Sequence, residues 1–498
     1  MNLLVIDIGT SSMRGILYRE DGRKTLIGQI KYKPDYGENH AVEQKPGDFE
    51  DACVSILRKF TAGWEFSMGG IEAIVLTAQR SSVIPVDQDG KPLFPAIMWQ
   101  DTRNREICRN LEEYNGEIRA RSGSNVNCVF SGGKMSWFKE EYPDLYKKTC
   151  KFVNIPEYLM HLMTGRYVTD YTYGSRSNLM NLHTCTWDQK LLALFGIEEG
   201  QLCELHAPGE ILGRVTGEFS NRTGIPEGTA VISAGGDQQC AALGHGVYEA
   251  GRCSVTTGTG GYLIALSDVL PEQLSEDVIW NYSAVPGRYI LEGSILTCCS
   301  AFDWFLRSFY DWEKPDYEKI SRMLEKKYDK KSSCIVLPYF QGRSTPIWNA
   351  KAHATFHGID LGQDREDLLK ALLEGIFIEI DNNMDHFRRY VELTQVSISG
   401  GLTGSAVLNQ MQADVYGIPL SRLLDAEATA NGAFMSAAVR TGLCASLQEA
   451  FHLVTRHTKS DHYVPNADNH KTYIKLKQEM NRLYQQIYRE EDEKHEQD

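Results

Sequence analysis

The sequence predicts an α/β protein made of two related halves. A chain of 498 residues is longer than the roughly 250–300 residues at which single hydrophobic cores stop growing, so it should fold as at least two domains. A strand, a turn of glycine and hydroxyl residues, and a second strand occur at residues 3–18 and again at residues 250–268. Because these segments lie half a chain apart, we expect an internal duplication of one α/β unit.

The first half begins with strands and then becomes helical. Apolar runs on both sides of a Gly-Thr-Ser turn predict two strands, and a Glu-Asp-Gly-Arg turn closes a second hairpin. Apolar residues at helical spacing follow, and the half ends in an apolar strand, two glycines and a helix. The predicted strands lie in residues 3–9, 11–21, 69–79 and 81–93, the helices in residues 101–123 and 155–166, and the final strand, turn and helix in residues 230–246.

The second half repeats the pattern of strand, glycine turn and strand, and it then adds helices. Residues 365–390 predict a long amphipathic helix. Residues 395–417 predict a strand that enters a glycine turn and a helix, and residues 471–498 predict a helix that ends in a charged, solvated tail. Strands and helices thus alternate in both halves, as the α/β class requires.

Composition and charge exclude several classes of protein. The net charge of −14 would repel nucleic acids and anionic membrane surfaces, so we expect neither as a partner. No stretch reaches the roughly 18 apolar residues of a membrane span, and the first apolar run is too short for a signal peptide. The 12 cysteines lack metal-ligand spacing and are typical of reduced thiols, so we expect a cytoplasmic location.

The turn after the first strand offers groups that bind phosphate. Gly9 lets the backbone approach an oxyanion closely, and the hydroxyls of Thr10 and Ser11 add donors. Asp7, at the end of the strand, could hold Mg²⁺ through water, and Arg14 could contact a transferred phosphoryl group. An ordinary tight hairpin uses the same residue types, so this turn alone leaves both interpretations open.

Two turns in the second half have the same character. Gly258, Thr259 and Gly260 join two predicted strands, and Gly400 and Gly401 lie where a strand enters a helix, whose N-terminus favours anions. The sequence contains neither GxxxxGK[ST] nor a GxGxxG that opens a helix. If a nucleotide binds, it therefore binds on a scaffold other than the P-loop or Rossmann fold.

An aspartate stands at the strand-to-helix junction of residues 230–246. Asp237 follows two glycines and precedes two glutamines. Its carboxylate could cap the helix, or it could take a proton from a substrate hydroxyl. The local sequence leaves both alternatives open.

Taken together, these motifs resemble the FGGY carbohydrate kinases, which share the fold of the actin and Hsp70 ATPases. The matching segments are DIGTSSMR, WQDTR, SGGKMSWF, GGDQQCAALG, TTGTGG and SGGLTGSAVLNQ, in the family's order. The resemblance implies two RNase H-like domains with a cleft between them: a sugar-binding domain of residues 1–245 and a nucleotide-binding domain of residues 246–498 with a helical tail. It also implies ATP and Mg²⁺, bound mainly on the C-terminal half.

The resemblance assigns roles on the acceptor side. It implies that Asp237 is the catalytic base and that Gln238 binds a neighbouring hydroxyl. Recognition of a polyol needs paired hydrogen bonds and an apolar wall against C–H faces, which Arg80, Asp101 and Trp99 could supply. Core packing for Trp99 and a helix cap for Asp101 are the alternatives.

Roles on the nucleotide side follow in the same way. Thr10 and Thr259, with the glycines beside them, would hold the β- and γ-phosphates from opposite domains. Gly401 and Asn409 resemble family positions that line the adenosine pocket. Asp7 and the catalytic aspartate would hold Mg²⁺ through water.

Departures from the family pattern bear on the substrate. Ser81 stands where glycerol kinases carry the glutamate that binds glycerol, so a strong acceptor is missing. We therefore expect an ATP-dependent kinase of a small sugar or polyol and favour a ketose such as a pentulose, with glycerol or another small polyol as the alternative. A non-sugar ATPase of the actin/Hsp70 type is the alternative from another class, and a homodimer is an arrangement that the sequence leaves open.

Overall fold

The chain forms two compact units, each built from several segments. The structure is a computed structural model and describes residues 1–63, 66, 69–328, 332, 334–345 and 347–495, with backbone only at 489–495. The first unit comprises Met1–Tyr248, Asp268–Ile290 and Asp425–Thr458, and the second comprises Glu249–Ser267, Leu291–Leu424 and Lys459–Asp498. Because these units are not continuous in sequence, the division into residues 1–245 and 246–498 stays a prediction.

Strands occur in both halves of the chain, as predicted. They are β1 (Asn2–Ile8), β2 (Ser12–Arg19), β3 (Lys24–Lys31), β4 (Asp35–Tyr36), β5 (Val42–Gln44), β6 (Ala73–Ala78), β7 (Ile84–Val86), β8 (Ala96–Ile97), β9 (Lys151–Val153), β10 (Val168–Asp170), β11 (Met180–Asn181), β12 (Thr186–Trp187), β13 (Glu204–His206), β14 (Ile211–Arg214), β15 (Ala230–Gly236), β16 (Arg252–Thr257), β17 (Gly261–Ser267), β18 (Ile279–Tyr282), β19 (Tyr289–Ile295), β20 (Ile335–Leu337), β21 (Thr355–His357), β22 (Gln395–Gly400), β23 (Leu420–Leu423) and β24 (Ser460–Tyr463).

Helices separate many of these strands. They are α1 (Pro46–Thr61), α2 (Arg105–Leu111), α3 (Asn115–Ser122), α4 (Ser131–Glu141), α5 (Pro143–Lys148), α6 (Ile155–Thr164), α7 (Tyr171–Gly174), α8 (Gln189–Phe195), α9 (Gly217–Thr223), α10 (Asp237–Gly244), α11 (Cys299–Tyr310), α12 (Tyr317–Lys327), α13 (Arg365–Phe387), α14 (Ala406–Tyr416), α15 (Ala428–Arg440), α16 (Leu447–Thr455) and α17 (Ala467–His495). Short 3₁₀ turns occupy Glu112–Tyr114, Glu199–Gln201 and Gly401–Thr403.

A six-stranded sheet in the order β14-β15-β6-β1-β2-β3 forms the centre of the first unit. Strands β1, β6 and β15 run parallel, with Ile8, Ala78 and Gly236 in register at their carboxyl ends. These strands are almost completely buried, as is typical of parallel strands covered on both faces. The residues that follow the three strands therefore meet at one edge of the sheet.

Helices α10 and α15 of the first unit approach each other at backbone contact. A Cβ atom at Gly244 would lie 1.9 Å from the carbonyl oxygen of Ala428, and one at Gly432 would lie 1.8 Å from that of Cys240. Neither position has room for a side chain, so both must be glycine for the helices to pack in this way. Since α10 begins at Asp237, this packing fixes the helix that carries the aspartate.

The sheet of the second unit repeats the strand order of the first. Strands β17, β16, β22, β23 and β24 are neighbours in that order, and β16, β22 and β23 run parallel. The hairpin β16–β17 corresponds to β1–β2, and the antiparallel outer strand β24 corresponds to β14. The predicted relation between the two halves is therefore confirmed in strand order and direction.

The long helix α13 is not the amphipathic helix that its sequence predicts. Most of its residues are buried, including charged ones. Lys370 lies 2.6 Å from Glu374, and Arg343 lies 2.7 Å from Glu379. The charged residues of α13 in these contacts are buried in ion pairs, and they do not form the solvent-exposed face of an amphipathic helix.

The C-terminal helix α17 runs to His495, so the predicted helix is confirmed. The last three residues of the charged tail lie outside the described residues. Over the described part of the chain, no helix has the length and apolar character needed to cross a membrane.

Candidate active site

Asp237 is the first residue of α10 and directly follows β15. The residue in the capping position is Gly236, which has no side chain, and the backbone N–H of Gln238 donates to Asp237 Oδ1 at 2.7 Å. The side chain of Asp237 is 27% exposed. The helix-capping alternative is therefore wrong, and the carboxylate is accessible to a ligand.

The two glycines before Asp237 meet a packing requirement. Gly235 has a φ of +115°, which side chains disfavour. A Cβ atom at Gly236 would lie 2.6 Å from Cδ of Arg80. Glycine is thus needed for β15 to end beside Arg80, the second residue after β6.

Arg80 lies beside Asp237, because β6 and β15 are parallel neighbours. Arg80 Nε is 3.9 Å from Asp237 Oδ1, and Arg80 Nη1 donates to Gln239 Oε1 at 3.1 Å. The structure thus brings two predicted acceptor-side residues together and adds Gln239, which no motif singled out. Gln238 is partly exposed, so a contact with substrate stays a prediction for it.

Trp99 connects the acceptor-side segment to the first glycine turn. Its indole Nε1 donates to Thr10 Oγ1 at 3.0 Å, and its backbone N–H donates to Ser82 Oγ at 3.0 Å. The Thr10 hydroxyl in turn donates to Gln79 Oε1 at 3.5 Å. Since Trp99 is only partly buried, its predicted role as an apolar wall for a substrate stays a prediction.

Asp101 has a structural environment that argues against the predicted substrate contact. The residue is completely buried. Its Oδ2 accepts a hydrogen bond from the backbone N–H of Val42 at 2.6 Å and lies 2.7 Å from Nη2 of Arg103. A buried carboxylate with these partners holds its own loop in place. Arg103 belongs to the same WQDTR motif, whereas nothing in the local sequence indicates Val42 as a partner.

The first glycine turn is closed by its own backbone. The N–H of Gly9 donates to Ser12 O at 2.9 Å, and the Tyr32 hydroxyl donates to Gly9 O at 2.8 Å. Ser11 is exposed at the tip, and Thr10 is partly exposed. The turn is thus preorganised, and its predicted role in binding phosphate stays a prediction.

Arg14 lies between two carboxylates at this turn. It pairs across the hairpin with Asp7, to which Nη2 donates, and its Nη1 is 2.7 Å from Glu427 Oε2. Burial raises the pKa of the Asp7 carboxyl above its usual range, and the hydrogen bond and charge of Arg14 oppose that shift. Glu427 is therefore a partner of the predicted phosphoryl-binding arginine.

The two aspartates proposed for Mg²⁺ lie near the carboxyl ends of strands of the same sheet. Asp7 is the next-to-last residue of β1 and Asp237 follows β15, with β6 between those strands, so the strand axes are about 10 Å apart. Among the described residues, no group of three or more His, Cys, Asp or Glu side chains could hold a metal ion directly. The two carboxylates fit a cation that keeps its own water molecules, which is the habit of Mg²⁺.

The glycine turns of the second unit lie side by side. Strands β16 and β22 are parallel, with Thr257 in register with Gly400. A Cβ atom at Gly400, whose φ is +94°, would lie 2.0 Å from Thr257 O. Gly258 and Thr259 are exposed, while Gly260 is buried against Ile295. The structure thus brings the predicted phosphate-binding turns together.

Two details of this region bear on the prediction. Gly400 precedes the 3₁₀ turn Gly401–Thr403, which Gly401 opens, and α14 starts only at Ala406, so the glycine pair is not at the N-terminus of that helix. Asn409 is completely buried, and its Nδ2 donates to Thr403 O and Tyr463 Oη, each at 3.2 Å. The Nδ2 of Asn409 thus holds the junction in place, whereas its Oδ1 has no hydrogen-bond partner among the described residues. A contact of Asn409 with adenosine stays a prediction.

The sequence matches the FGGY family of carbohydrate kinases over most of its length. The N-terminal domain of that family matches residues 2–244, and the C-terminal domain matches residues 253–441. A curated relative, the glycerol kinase of Thermococcus kodakarensis, is 31% identical over 461 residues, which cover 91% of this chain and 90% of the relative.

Solved structures confirm the predicted fold. The ligand-bound xylulose kinase from Lactobacillus acidophilus superimposes with a TM-score of 0.87 at 23% identity and covers 98% of both chains. The Plasmodium falciparum glycerol kinase with ADP gives a TM-score of 0.85 at 25% identity, covering 95% of this chain and 96% of that one. The fold is thus the α/β fold that FGGY kinases share with the actin/Hsp70 ATPases. The chain belongs to the FGGY family of carbohydrate kinases, and it is a phosphotransferase with ATP as the phosphoryl donor and an alcohol group of a small sugar or polyol as the acceptor.

Proposed function

We propose that this enzyme transfers the γ-phosphoryl group of ATP to a hydroxyl of a small ketose, with a pentulose favoured, and that Asp237 is the general base. The observation that carries the proposal is the accessible carboxylate of Asp237 at the carboxyl end of β15, with Arg80 Nε at 3.9 Å. A base of this kind accepts the hydroxyl proton as the new ester bond forms.

The residues around Asp237 have distinct roles in this mechanism. Arg80 is held by Gln239, so its guanidinium is fixed beside the carboxylate and the acceptor. Gln238 binds a second hydroxyl of the acceptor and thereby orients the reacting one. Trp99 presents its ring to the C–H faces of the sugar. Fixed groups of this kind lower the entropic cost of bringing reactants together.

The glycine turns bind the phosphates in the proposed mechanism. Gly9, Thr10, Ser11 and Arg14 contact the transferred group, where charge develops. In the second unit, the backbone N–H groups of the two glycine turns donate to the remaining phosphate oxygens. These residues are Gly258, Thr259, Gly260, Gly400 and Gly401.

Mg²⁺ fits this proposal as a companion of the nucleotide. Asp7 and Asp237 would hold it through its water molecules, and when bound it neutralises phosphate charge. The protein's own contribution is to hold the two carboxylates in place. Arg14 does this for Asp7 by donating to Oδ2.

Glycerol or another small polyol is the second candidate for the acceptor. It is supported by the sequence relatives, since the glycerol kinase of Thermococcus kodakarensis is 31% identical. Against glycerol stands Ser81, whose hydroxyl donates to Arg176 O at 3.2 Å and which provides no carboxylate. We favour a ketose because the site lacks the carboxylate that would accept from glycerol, so the substrate must be bound through other contacts.

A panel of acceptors tests the proposal. Glycerol, erythritol, xylulose and ribulose are each incubated with ATP and Mg²⁺, ADP release is measured, and NMR locates the new phosphoester. We expect ADP release that depends on one acceptor class, highest with a ketose. Release that ignores the acceptor would favour a non-sugar ATPase, and a maximum with glycerol would favour the second candidate.

The base is tested by Asp237→Asn, with Asp188→Asn as the control. Asp188 caps α8 in the same unit, and asparagine caps helices about as well as aspartate. We expect Asp237→Asn to lose at least about 100-fold in kcat. Asp188→Asn should keep its activity. Near wild-type turnover of a folded Asp237→Asn preparation would reject Asp237 as the base.

A homodimer also stays a prediction, which sedimentation of the purified chain would test.

A further inference from the structure

We infer that Tyr173 is a positioning residue that sets the spacing between Arg80 and Asp237. This inference rests on the proposed role of Asp237 as the base. The Tyr173 hydroxyl accepts a hydrogen bond from the backbone N–H of Ala78 at 3.0 Å and donates one to Gly235 O, also at 3.0 Å. Ala78 and Gly235 each lie two residues before one of the two functional side chains.

The bridge lies where the regular strand pairing is interrupted. Strands β6 and β15 pair in parallel, and their register shifts between Ser233 and Gly235. Gly235 has a φ of +115°, and its carbonyl also accepts a hydrogen bond from Thr77 Oγ1 at 2.9 Å. Side chains therefore bind the backbone at the point where the ladder departs from its regular register.

Tyr173 is itself held firmly by the segment that carries it. It is buried on the short helix α7, which Asp170 caps. Asp170 accepts hydrogen bonds from Thr172 N at 2.8 Å and from Ser233 Oγ at 2.5 Å, and Thr172 Oγ1 accepts one from Gly236 N at 2.9 Å. The segment of residues 170–173 is thus hydrogen-bonded to β15 on both sides of the register shift.

Removal of the hydroxyl should act on catalysis through geometry. In Tyr173→Phe the ring still fills its space, but the N–H of Ala78 and the carbonyl of Gly235 each lose a buried partner. A buried backbone group without its partner is energetically unfavourable, so we expect the ends of β6 and β15 to shift relative to each other. A shift of about 1 Å between a base and its partner residue can cost on the order of 100-fold in rate.

The experiment compares Tyr173→Phe with a matched control, Tyr158→Phe. Tyr158 is also a buried tyrosine of the first unit, and its hydroxyl donates to Glu50 Oε2 at 3.0 Å, away from Asp237. We expect Tyr173→Phe to lower kcat by about 10- to 100-fold, with the KM for ATP within about twofold of wild type. Tyr158→Phe should leave both values unchanged at a similar loss of thermal stability.

A double-variant cycle shows whether Tyr173 acts through Asp237. Asp237→Glu keeps a carboxylate in a shifted place and so retains measurable turnover. If Tyr173 only positions the base, adding Tyr173→Phe to Asp237→Glu should lower kcat by less than about threefold further. Fully additive losses would overturn the inference, because they would show that the two residues act independently.

The outcomes separate this inference from the proposed function. Wild-type kcat in Tyr173→Phe, together with inactive Asp237→Asn, would overturn the role of Tyr173 alone. Active Asp237→Asn would instead remove the base on which both rest. If Tyr173→Phe does not fold, Thr77→Val removes a second side-chain hydrogen bond to Gly235 O. It should lower kcat several-fold, and an unchanged kcat would overturn the inference.

Discussion

The hairpins β1–β2 and β16–β17 hold the same place in the sheets of the two units, yet their turns differ in chemistry. In the first, Asp7 and Arg14 face each other across the hairpin, and Glu427 lies on the other side of the arginine. In the second, residues 256–262 contain no charged side chain. There, Thr257 Oγ1 donates to Ser399 O at 2.9 Å and accepts from Leu402 N at 3.1 Å.

From this difference we expect the two hairpins of the repeated fold to have different tasks. Charged side chains respond strongly to the charge that develops during phosphoryl transfer. Neutral backbone N–H groups, fixed by hydrogen bonds to neighbouring turns, suit phosphates whose charge does not change. We therefore expect the first turn to govern kcat and the second to govern nucleotide affinity and local stability.

The largest effect should come from removal of Arg14. Arg14→Ala deletes a guanidinium assigned to the transferred phosphoryl group, and we expect kcat to fall about 1,000-fold, or about 4 kcal/mol. Arg23→Ala is the control, because Arg23 is exposed on the adjacent turn and pairs with nearby Asp21. Steady-state kinetics check the prediction. A fall in kcat of less than tenfold in Arg14→Ala would contradict the expected functional difference between the two hairpins.

A pH dependence of stability should distinguish the two units. Burial raises the pKa of Asp170, which braces the end of β15, to about 6, whereas in the second unit the hydroxyl group of Thr257 braces the end of β22. An acid whose pKa is raised by folding stabilises the folded state fully below its unfolded pKa, and this contribution is lost as the pH rises towards 6. Asp170→Asn should abolish that loss.

Urea unfolding at several pH values measures the effect. Between about pH 4 and pH 7, wild type should lose about 3 kcal/mol of unfolding free energy relative to Asp170→Asn. Relative to Asp188→Asn, wild type should show almost no loss over this range, and it should lose unfolding free energy only as the pH falls below about 4. Burial raises the pKa of Asp188, but hydrogen bonds from Asn181 and other donors outweigh burial and lower it. A pH-independent difference for Asp170→Asn would show that Asp170 does not titrate in this range.

The elements that the sequence predicted are those defined by local chemistry. Apolar runs followed by Gly-Thr turns gave the hairpins, and the apolar strand before Asp237 placed that aspartate at the end of β15. These features depend on residues within about ten positions of one another, so a single sequence contains the necessary information.

The features that the sequence did not predict depend on distant residues. Tyr173 bonds to Ala78, 95 positions away, and to Gly235, 62 positions away. Asp101 and Asn409 have residue types that suit a site, but tertiary contacts bury both residues and occupy the carboxylate of Asp101 and the Nδ2 of Asn409. Polar residue types alone do not tell a ligand contact from a buried hydrogen bond, since both need the same donors and acceptors.

The stability of the turn between β16 and β17 should depend more on added side-chain volume than on charge. A Cβ atom at Gly260 would lie 2.5 Å from Ile295 O, whereas one at Gly258 would have only an ordinary contact at 3.7 Å. Gly260→Ala should therefore lower the unfolding free energy by about 1–3 kcal/mol. Gly258→Ala, in the same turn, should change it by less than about 0.5 kcal/mol. Denaturant unfolding of the pair checks this, and equal losses would show that the turn is not held by the packing at Gly260.

The smallest effect should come from Glu427→Gln. It removes one of the two carboxylates beside Arg14, but Asp7 still accepts from the other side of the guanidinium. The pair is partly exposed, so we expect kcat to fall about fivefold, or about 1 kcal/mol. Glu117→Gln, which removes a partner of Arg121 elsewhere in the first unit, is the control and should keep its activity. If Glu427→Gln is instead as damaging as Arg14→Ala, then Arg14 depends on both carboxylates, and the charged turn works as a three-residue group rather than as a single arginine.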